Sequence, residues 1–285
     1  MSVAVDYRFV LLARLGAILC PDYRFKSPQL DWVHDADFNA YLSRFDELRL
    51  FNTERRWNMW QLMRLTEGVP GDTAECGSFQ GAGSYLVCNA NAGRRHHHIF
   101  DSFEGLSEPK NVDGTYWKRG GLACAEDIVA RNLSEFTAYT LYKGWIPTRF
   151  AEVADRKFSF VHIDVDLYQP TLDSLEFFYP RMSDGGLIVC DDYGFSVCPG
   201  ATRAVDEFLA GRHEQMISAP CGGGFLIKGI ATAKIVRASH PARSGPGSDT
   251  VKRPSWSSIL FQIVCLVFEG AYHFIRVSLR EIKRG

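Results

Sequence analysis

From Gly71 onward the chain alternates short, β-prone apolar runs with helical patterns, and several of the runs stop abruptly at carboxylates. "FSFVHIDVD" closes on Asp164 and Asp166, "GGLIVCDD" on Asp191 and Asp192, and "HHHIFD" on Asp101. With "DTAECG", "YTLYKGW" and, late, "GFLIKGI", these read as strands. "PTLDSLEFFYPRM", which Pro170 is placed to start, and "ATRAVDEFLAGR" read as helices. Strands alternating with helices predict an α/β fold whose parallel sheet is covered on both faces. Such sheets bind ligands beyond the carboxyl ends of their strands, so every acidic strand end is expected on one edge.

At 285 residues the prior is one large domain with extensions. Residues 1–67 read as a helical N-terminal extension, from the three- and four-residue spacing in "PQLDWVHDADFNAYLSRFDEL" and "TERRWNMWQLMRLTEG". Residues 68–237 form the sheet domain, 238–257 a linker rich in Ser, Gly, Pro and Arg, and 258–285 a C-terminal amphipathic helix. The apolar run Ile259–Phe268 is too short to span a bilayer. Its basic end (Arg276, Arg280, Lys283, Arg284) suits either a membrane surface or a second subunit in a homo-oligomer. The first twenty residues are broken by Asp6, Arg8 and Arg14, and are expected to pack as an amphipathic helix rather than act as a signal peptide. A near-even charge balance, net −1, offers nothing to nucleic acid. Eight scattered cysteines with no C-x-x-C pair read as reduced thiols of a cytoplasmic protein.

The first strand leads into "ECGSFQGAGS", a glycine-rich turn that opens a helix but does not match G-x-G-x-x-G. Glu75 beside such a turn repels a pyrophosphate and suits a cationic ligand. S-adenosylmethionine has a sulfonium, an amino group and no phosphate. Asp101, at the second strand end, stands where such folds hydrogen-bond ribose hydroxyls; the alternative for it is a turn or helix cap.

The four later aspartates offer oxygen-only ligands at adjacent strand ends, which suits Mg²⁺. His162, Asp164 and Asp166 share a face if the extended pattern persists to its end. Gathered carboxylates raise one another's pKa, and a dication removes that cost. A metal beside S-adenosylmethionine points to a hydroxyl nucleophile activated by the ion, with a carboxylate taking its proton. A vicinal diol, able to chelate, is the natural acceptor.

The linked motifs resemble the TylF/MycF family of macrocin-type sugar O-methyltransferases. They are "CPDYRFKSPQLDW", "FNTERRWNMWQL", "PGDTAECGSFQGAGSYL", "FDSFEGLSEP", "YKGWIPTRF", "HIDVDLYQPTLDSLEFFYPRMSDGGLIVCDDYG" and "GATRAVDEF". The resemblance covers most of residues 20–230 and implies a class I enzyme with a Rossmann-like, seven-stranded, mostly parallel sheet. By it, Asp164, Asp191 and Asp192 look like the Mg²⁺ ligands and Asp164 also the general base, with Asp166 able to exchange roles with Asp164 as metal ligand and base. Glu75, Gly77, Ser84, Asp101 and Ser102 look like S-adenosylmethionine contacts. A small-molecule or glycan acceptor with adjacent hydroxyls follows. The tail beyond residue 240 falls outside the resemblance.

His96, His97 and His98 alternate between faces and are not expected to share an ion. His162 reads as a core histidine or as an orienter of a carboxylate, Trp145 as a neighbour of adenine or as core, Tyr168 as pocket wall or helix start. A loop within residues 105–131 is expected over the site as a lid. Two rival functions stay open: a glycosyltransferase using Asp164-Val165-Asp166 as a D-x-D motif, and a non-catalytic binding module.

Overall fold

A computed structural model describes residues 14–16, 18, 32, 35–47 and 52–233. The chain divides into two compact units, Ala36–Val236 and, separately, Met1–Asp35 with Arg237–Gly285. In the second unit the described residues are 14–16 and 18, which are helical, with 32 and 35. The expected linker and C-terminal helix, and most of the first twenty residues, lie outside the described residues.

The unit Ala36–Val236 begins with two helices, α1 (Ala36–Arg44) and α2 (Thr53–Met63). Strand β1 (Asp72–Cys76), helix α3 (Ala82–Asn91) and strand β2 (His97–Asp101) follow, then α4 (Glu126–Asn132) and β3 (Tyr139–Lys143). The second half holds β4 (Phe158–Ile163), α5 (Tyr168–Phe178), β5 (Met182–Cys190), α6 (Pro199–Phe208), β6 (Ile217–Ser218) and β7 (Gly224–Ile227). The seven strands order β3-β2-β1-β4-β5-β7-β6. All pairings are parallel except β5 with β7 and β6 with β7.

The order runs outward from β1 in two directions. Right-handed crossovers therefore place α3 and α4 on one face and α5 on the other. Burial on both faces is why β4 reads as an unbroken run, with all six residues buried. Phe158, Phe160 and Phe178 are fully enclosed, and each contributes roughly 1.5–3 kcal/mol by burial. The point where the direction reverses lies between β1 and β4, beside the acidic ends.

Two local expectations shift. Helix α5 starts at Tyr168, two residues before Pro170, because a proline is tolerated anywhere in the first turn, where its missing N–H has no intrahelical partner. The two-residue β6 carried no legible pattern. Among the described residues no helix is long and apolar enough to cross a membrane.

Candidate active site

β1 ends at Cys76, and the chain turns through Gly77 with a left-handed φ of 82°. Any Cβ there would lie 1.9 Å from the Asp164 carbonyl oxygen, so only glycine lets β1 and the β4 exit approach this closely. The turn is locked by Asp101. Its Oδ2 accepts hydrogen bonds from Ser78 N (2.7 Å), Ser78 Oγ (3.1 Å) and Phe79 N (3.2 Å), and its Oδ1 from Phe103 N (2.7 Å). Among the described residues Phe103 N is the one donor to Oδ1, which leaves it a lone pair able to accept from a hydroxyl. Ser102 Oγ donates to the Gly105 carbonyl at 2.9 Å.

Gly77, Asp101, Ser102 and Trp145 line a cavity of about 630 Å³, and so do Asp164, Asp166 and Asp192. Glu75 and Ser84 do not. The expectation put Glu75 at the lip of the turn; its side chain, 1% exposed, instead lies beneath it. Strand alternation aims it at α3, where Ser84 Oγ donates to it and Gly83 leaves the space it fills. On its other side His162 Nδ1 lies 2.7 Å from Glu75 Oε1.

His162 joins the two halves of the site, its Nε2 lying 3.5 Å from Asp191 Oδ1. Burial alone would lower its pKa, but Asp191 and Glu75 raise it to about 10, so the ring is an imidazolium at neutral pH. Two arginines of α2 also converge on Asp191. Arg55 Nη1 donates to Asp191 Oδ2, and Arg55 stacks on Phe195, 4.8 Å from the ring centroid. Arg56 Nη1 lies 4.0 Å from Asp191 Oδ1, Arg56 Nη2 3.5 Å from Asp164 Oδ2, and Arg56 Nε donates to Glu47 at 3.0 Å. Burial would raise the Asp191 carboxyl; Arg55 and Arg56 instead hold it far below the carboxylate range.

Asp166 and Asp192 lack such company. The strand pattern breaks after Ile163: Leu167 N donates to the Val165 carbonyl at 2.6 Å, and Asp166 is left-handed at φ 58°. Asp166 therefore does not continue the face of His162 and Asp164. It turns towards Asp192, whose Oδ2 accepts from Val165 N (3.1 Å) and Asp166 N (2.7 Å). Ligand atoms of His162, Asp164 and Asp191 lie within 4.8 Å of one another, and so do those of Asp166, Asp192 and Cys198. Burial pushes Asp166 up to about 7, helped by the charge of Asp164, and raises Asp192 well above its usual range. Burial and Asp191 raise Asp164. Among the described residues neither Asp166 nor Asp192 has an ion-pair partner. Asp164, Asp166 and Asp192 thus gather carboxylate oxygens whose raised pKa values a bound dication would reverse, which fits a hard cation, with the His162 nitrogen and the Cys198 sulfur standing beside them.

The remaining predicted positions resolve individually. His96 Nε2 meets Thr140 Oγ1 (2.8 Å), His97 Nδ1 meets Thr73 Oγ1 (2.9 Å), and His98 meets Tyr142 (2.9 Å) and Asp72 (3.1 Å). All lie on β2 or just before it, away from the cavity. The Tyr168 hydroxyl donates to Glu207 on the surface. Arg55 and Arg56 escaped sequence reasoning; the available signal was an arginine pair in a helix whose neighbours are patterned for burial.

Over 155 residues the chain is 29% identical to the 8-demethyl-8-(2,3-dimethoxy-alpha-L-rhamnosyl)-tetracenomycin-C 4'-O-methyltransferase of Streptomyces olivaceus, matching 49% of this chain and 59% of that protein. Over 162 residues it is 30% identical to the demethyldecarbamoylnovobiocin O-methyltransferase of Streptomyces niveus, matching 51% of this chain and 61% of that one. The chain thus spans about three-fifths of the length of these curated relatives. The solved calicheamicin methyltransferase CalS11 shares the fold, with a TM-score of 0.58 at 20% identity over 81% of this chain and 95% of that one. The glycine turn, Asp101 and all four aspartates fall within residues 53–223, the stretch matched by the macrocin-O-methyltransferase (TylF) family, and the chain belongs to that family.

Proposed function

We propose that this chain transfers a methyl group from S-adenosylmethionine to a hydroxyl of a sugar-bearing small molecule, with Mg²⁺ assisting and a vicinal diol as acceptor. One observation carries the reading. A single cavity has the Gly77 turn with Asp101 at one end and the carboxylates of Asp164, Asp166 and Asp192, partly uncompensated, at the other, with Asp191 buried beside Asp164. The sugar comes from the relative from Streptomyces olivaceus, which is named for 4'-O-methylation of a rhamnosyl compound.

In this reading Asp101 Oδ1 accepts a ribose hydroxyl of the cofactor, and the Gly77 and Ser102 backbone borders it. Glu75 and Ser84 act from beneath, holding the turn and His162. The cofactor supplies an electrophilic methyl on a sulfonium. Asp164, Asp191 and Asp192 would hold Mg²⁺, which when bound supplies a Lewis acid that makes a hydroxyl more acidic. Asp164 is the proton acceptor: its Oδ2 faces Arg56 and its Oδ1 is left for the acceptor hydroxyl. Arg55 and His162 orient Asp191 from behind. Residues 68–237 form the catalytic domain, and α2 completes its acid end with Arg55 and Arg56.

Calorimetry with S-adenosylhomocysteine and with a nucleotide sugar separates this from the glycosyltransferase reading. Binding of the nucleotide sugar alone by folded protein would sink the proposal. Labelled methyl transfer to sugar glycosides, with and without EDTA, then tests the metal and the diol. For residues 258–285, liposome sedimentation before and after truncation at Ser255 tests membrane contact against self-association.

A further inference from the structure

One wall of the cavity is a closed loop. Leu106 N donates to the Gly121 carbonyl at 2.8 Å and Gly120 N to the Leu106 carbonyl at 2.9 Å, so residues 106–121 leave and re-enter at one point. Gly105, left-handed at φ 84°, makes that neck possible, since a Cβ there would lie 2.4 Å from the Gly121 carbonyl oxygen. Leu106, Ser107, Tyr116 and Trp117 of the loop face the cavity.

The main tie behind the loop is one side chain. Asp113 is 3% exposed although it sits in the middle of a surface loop. Its Oδ2 accepts from Lys110 N at 2.7 Å within the loop, and its Oδ1 from Tyr168 N, also at 2.7 Å, at the first residue of α5. A Cβ on Gly200, in the first turn of α6, would lie 2.0 Å from Asp113 Oδ1, so the carboxylate is wedged between two helix starts. The partial positive charge of both N-termini favours it there. α5 and α6 are the helices that follow the Asp164–Asp166 and Asp191–Asp192 strand ends. A second, weaker tie runs from Trp117 Nε1 to Cys198 Sγ at 3.4 Å.

We propose that Asp113 is the latch of a lid: its buried carboxylate fastens loop 106–121 to the helices that follow both acidic strand ends and so holds the cavity closed. Asp113 is a positioning residue, since it touches neither the cavity nor its contents. The lid stands on geometry alone; only the identity of what it covers rests on the function proposed above.

The loop carries its own probe: Lys118 and Arg119 are exposed trypsin sites within it, and a protease cuts a folded loop when the segment around the scissile bond opens locally, which the latch would oppose. Asp113→Asn cannot accept both N–H groups and is expected to speed native-state cleavage after Lys118 and Arg119 by about tenfold, the size expected for one lost charge-assisted hydrogen bond. Tyr168→Pro deletes the Tyr168 donor at a helix position where proline fits, and is expected to do the same, whereas Tyr168→Ala keeps that N–H and is not. Mass spectrometry of the cut sites, with calorimetric binding of S-adenosylhomocysteine measured separately, reads the outcome. Unchanged cleavage in Asp113→Asn, equal rates for Tyr168→Pro and Tyr168→Ala, or acceleration spread equally over sites outside the loop would each overturn the latch. A wild-type chain that fails to bind S-adenosylhomocysteine would count against the cofactor reading and leave the lid result intact.

Discussion

The two edges of the sheet treat their buried titratable side chains in opposite ways. At the amino-terminal edge the histidines and Arg95 have local partners. His96 has Thr140, His98 has Tyr142 and Asp72, and Arg95 Nη2 meets the Thr66 and Glu67 carbonyls at 2.5 and 2.7 Å. At the carboxyl-terminal edge Asp191 is overcompensated by two arginines and an imidazolium, while Asp166 and Asp192 are short of positive charge. The imbalance opens onto a cavity. Charged residues at strand ends are therefore structural where each is satisfied, and mark a site where charge is left over beside open space.

Breaking the acidic edge should have the largest effect. Asp191→Ala leaves Arg55, Arg56 and His162 buried around a missing carboxylate, at an expected cost of about 3–5 kcal/mol in urea denaturation. Methyl transfer should fall by at least about a hundredfold in a labelled-cofactor assay.

The opposite edge should respond to pH through one buried ring. Burial lowers the His97 pKa from 6.5 to about 4, so the ring is neutral when folded. The unfolded chain then binds more protons between those values, and stability is lost as pH falls from 6.5 towards 4. That span bounds the loss at roughly 3 kcal/mol. Because the raised Asp166 carboxyl titrates in the same range with the opposite sign, the check is the change in urea midpoint from pH 7 to pH 5 in the wild type minus that in His97→Leu, and it should show the wild type losing more stability.

A subtler test returns to the acids. Asp192→Asn keeps an oxygen for the Val165 and Asp166 N–H groups, so stability should stay within about 1 kcal/mol. Mg²⁺ affinity by calorimetry should drop at least about tenfold. Unchanged affinity would remove Asp192 from the metal set. Smallest of all, His96→Gln should shift stability by less than about 0.5 kcal/mol and leave S-adenosylhomocysteine binding untouched. A changed affinity there would erase the contrast between the edges.

Much of this was legible in the linear chain. The alternation of runs gave six of the strands, because period-2 and period-3.6 patterns are local properties. Acid at the ends of three strands located the functional edge, because parallel connectivity sends all those ends the same way. The depth of Glu75 was not legible, since it depends on Gly83 leaving room on a helix eight residues away. Nor was the turn of Asp166, where a left-handed residue ends the alternation that a sequence pattern assumes to continue. Arg55 and Arg56 belong to a helix that precedes the sheet, and no spacing rule connects them to Asp191, 136 positions on from Arg55.

A doubly covered parallel sheet that gathers its carboxylates on one edge beside a glycine turn follows from local patterning and chain direction alone. Which of those carboxylates keep an unbalanced charge is fixed by tertiary packing. That depends on what packs beside each one, because burial raises a carboxyl's pKa and a neighbouring guanidinium lowers it, and both are set by residues far apart in the chain.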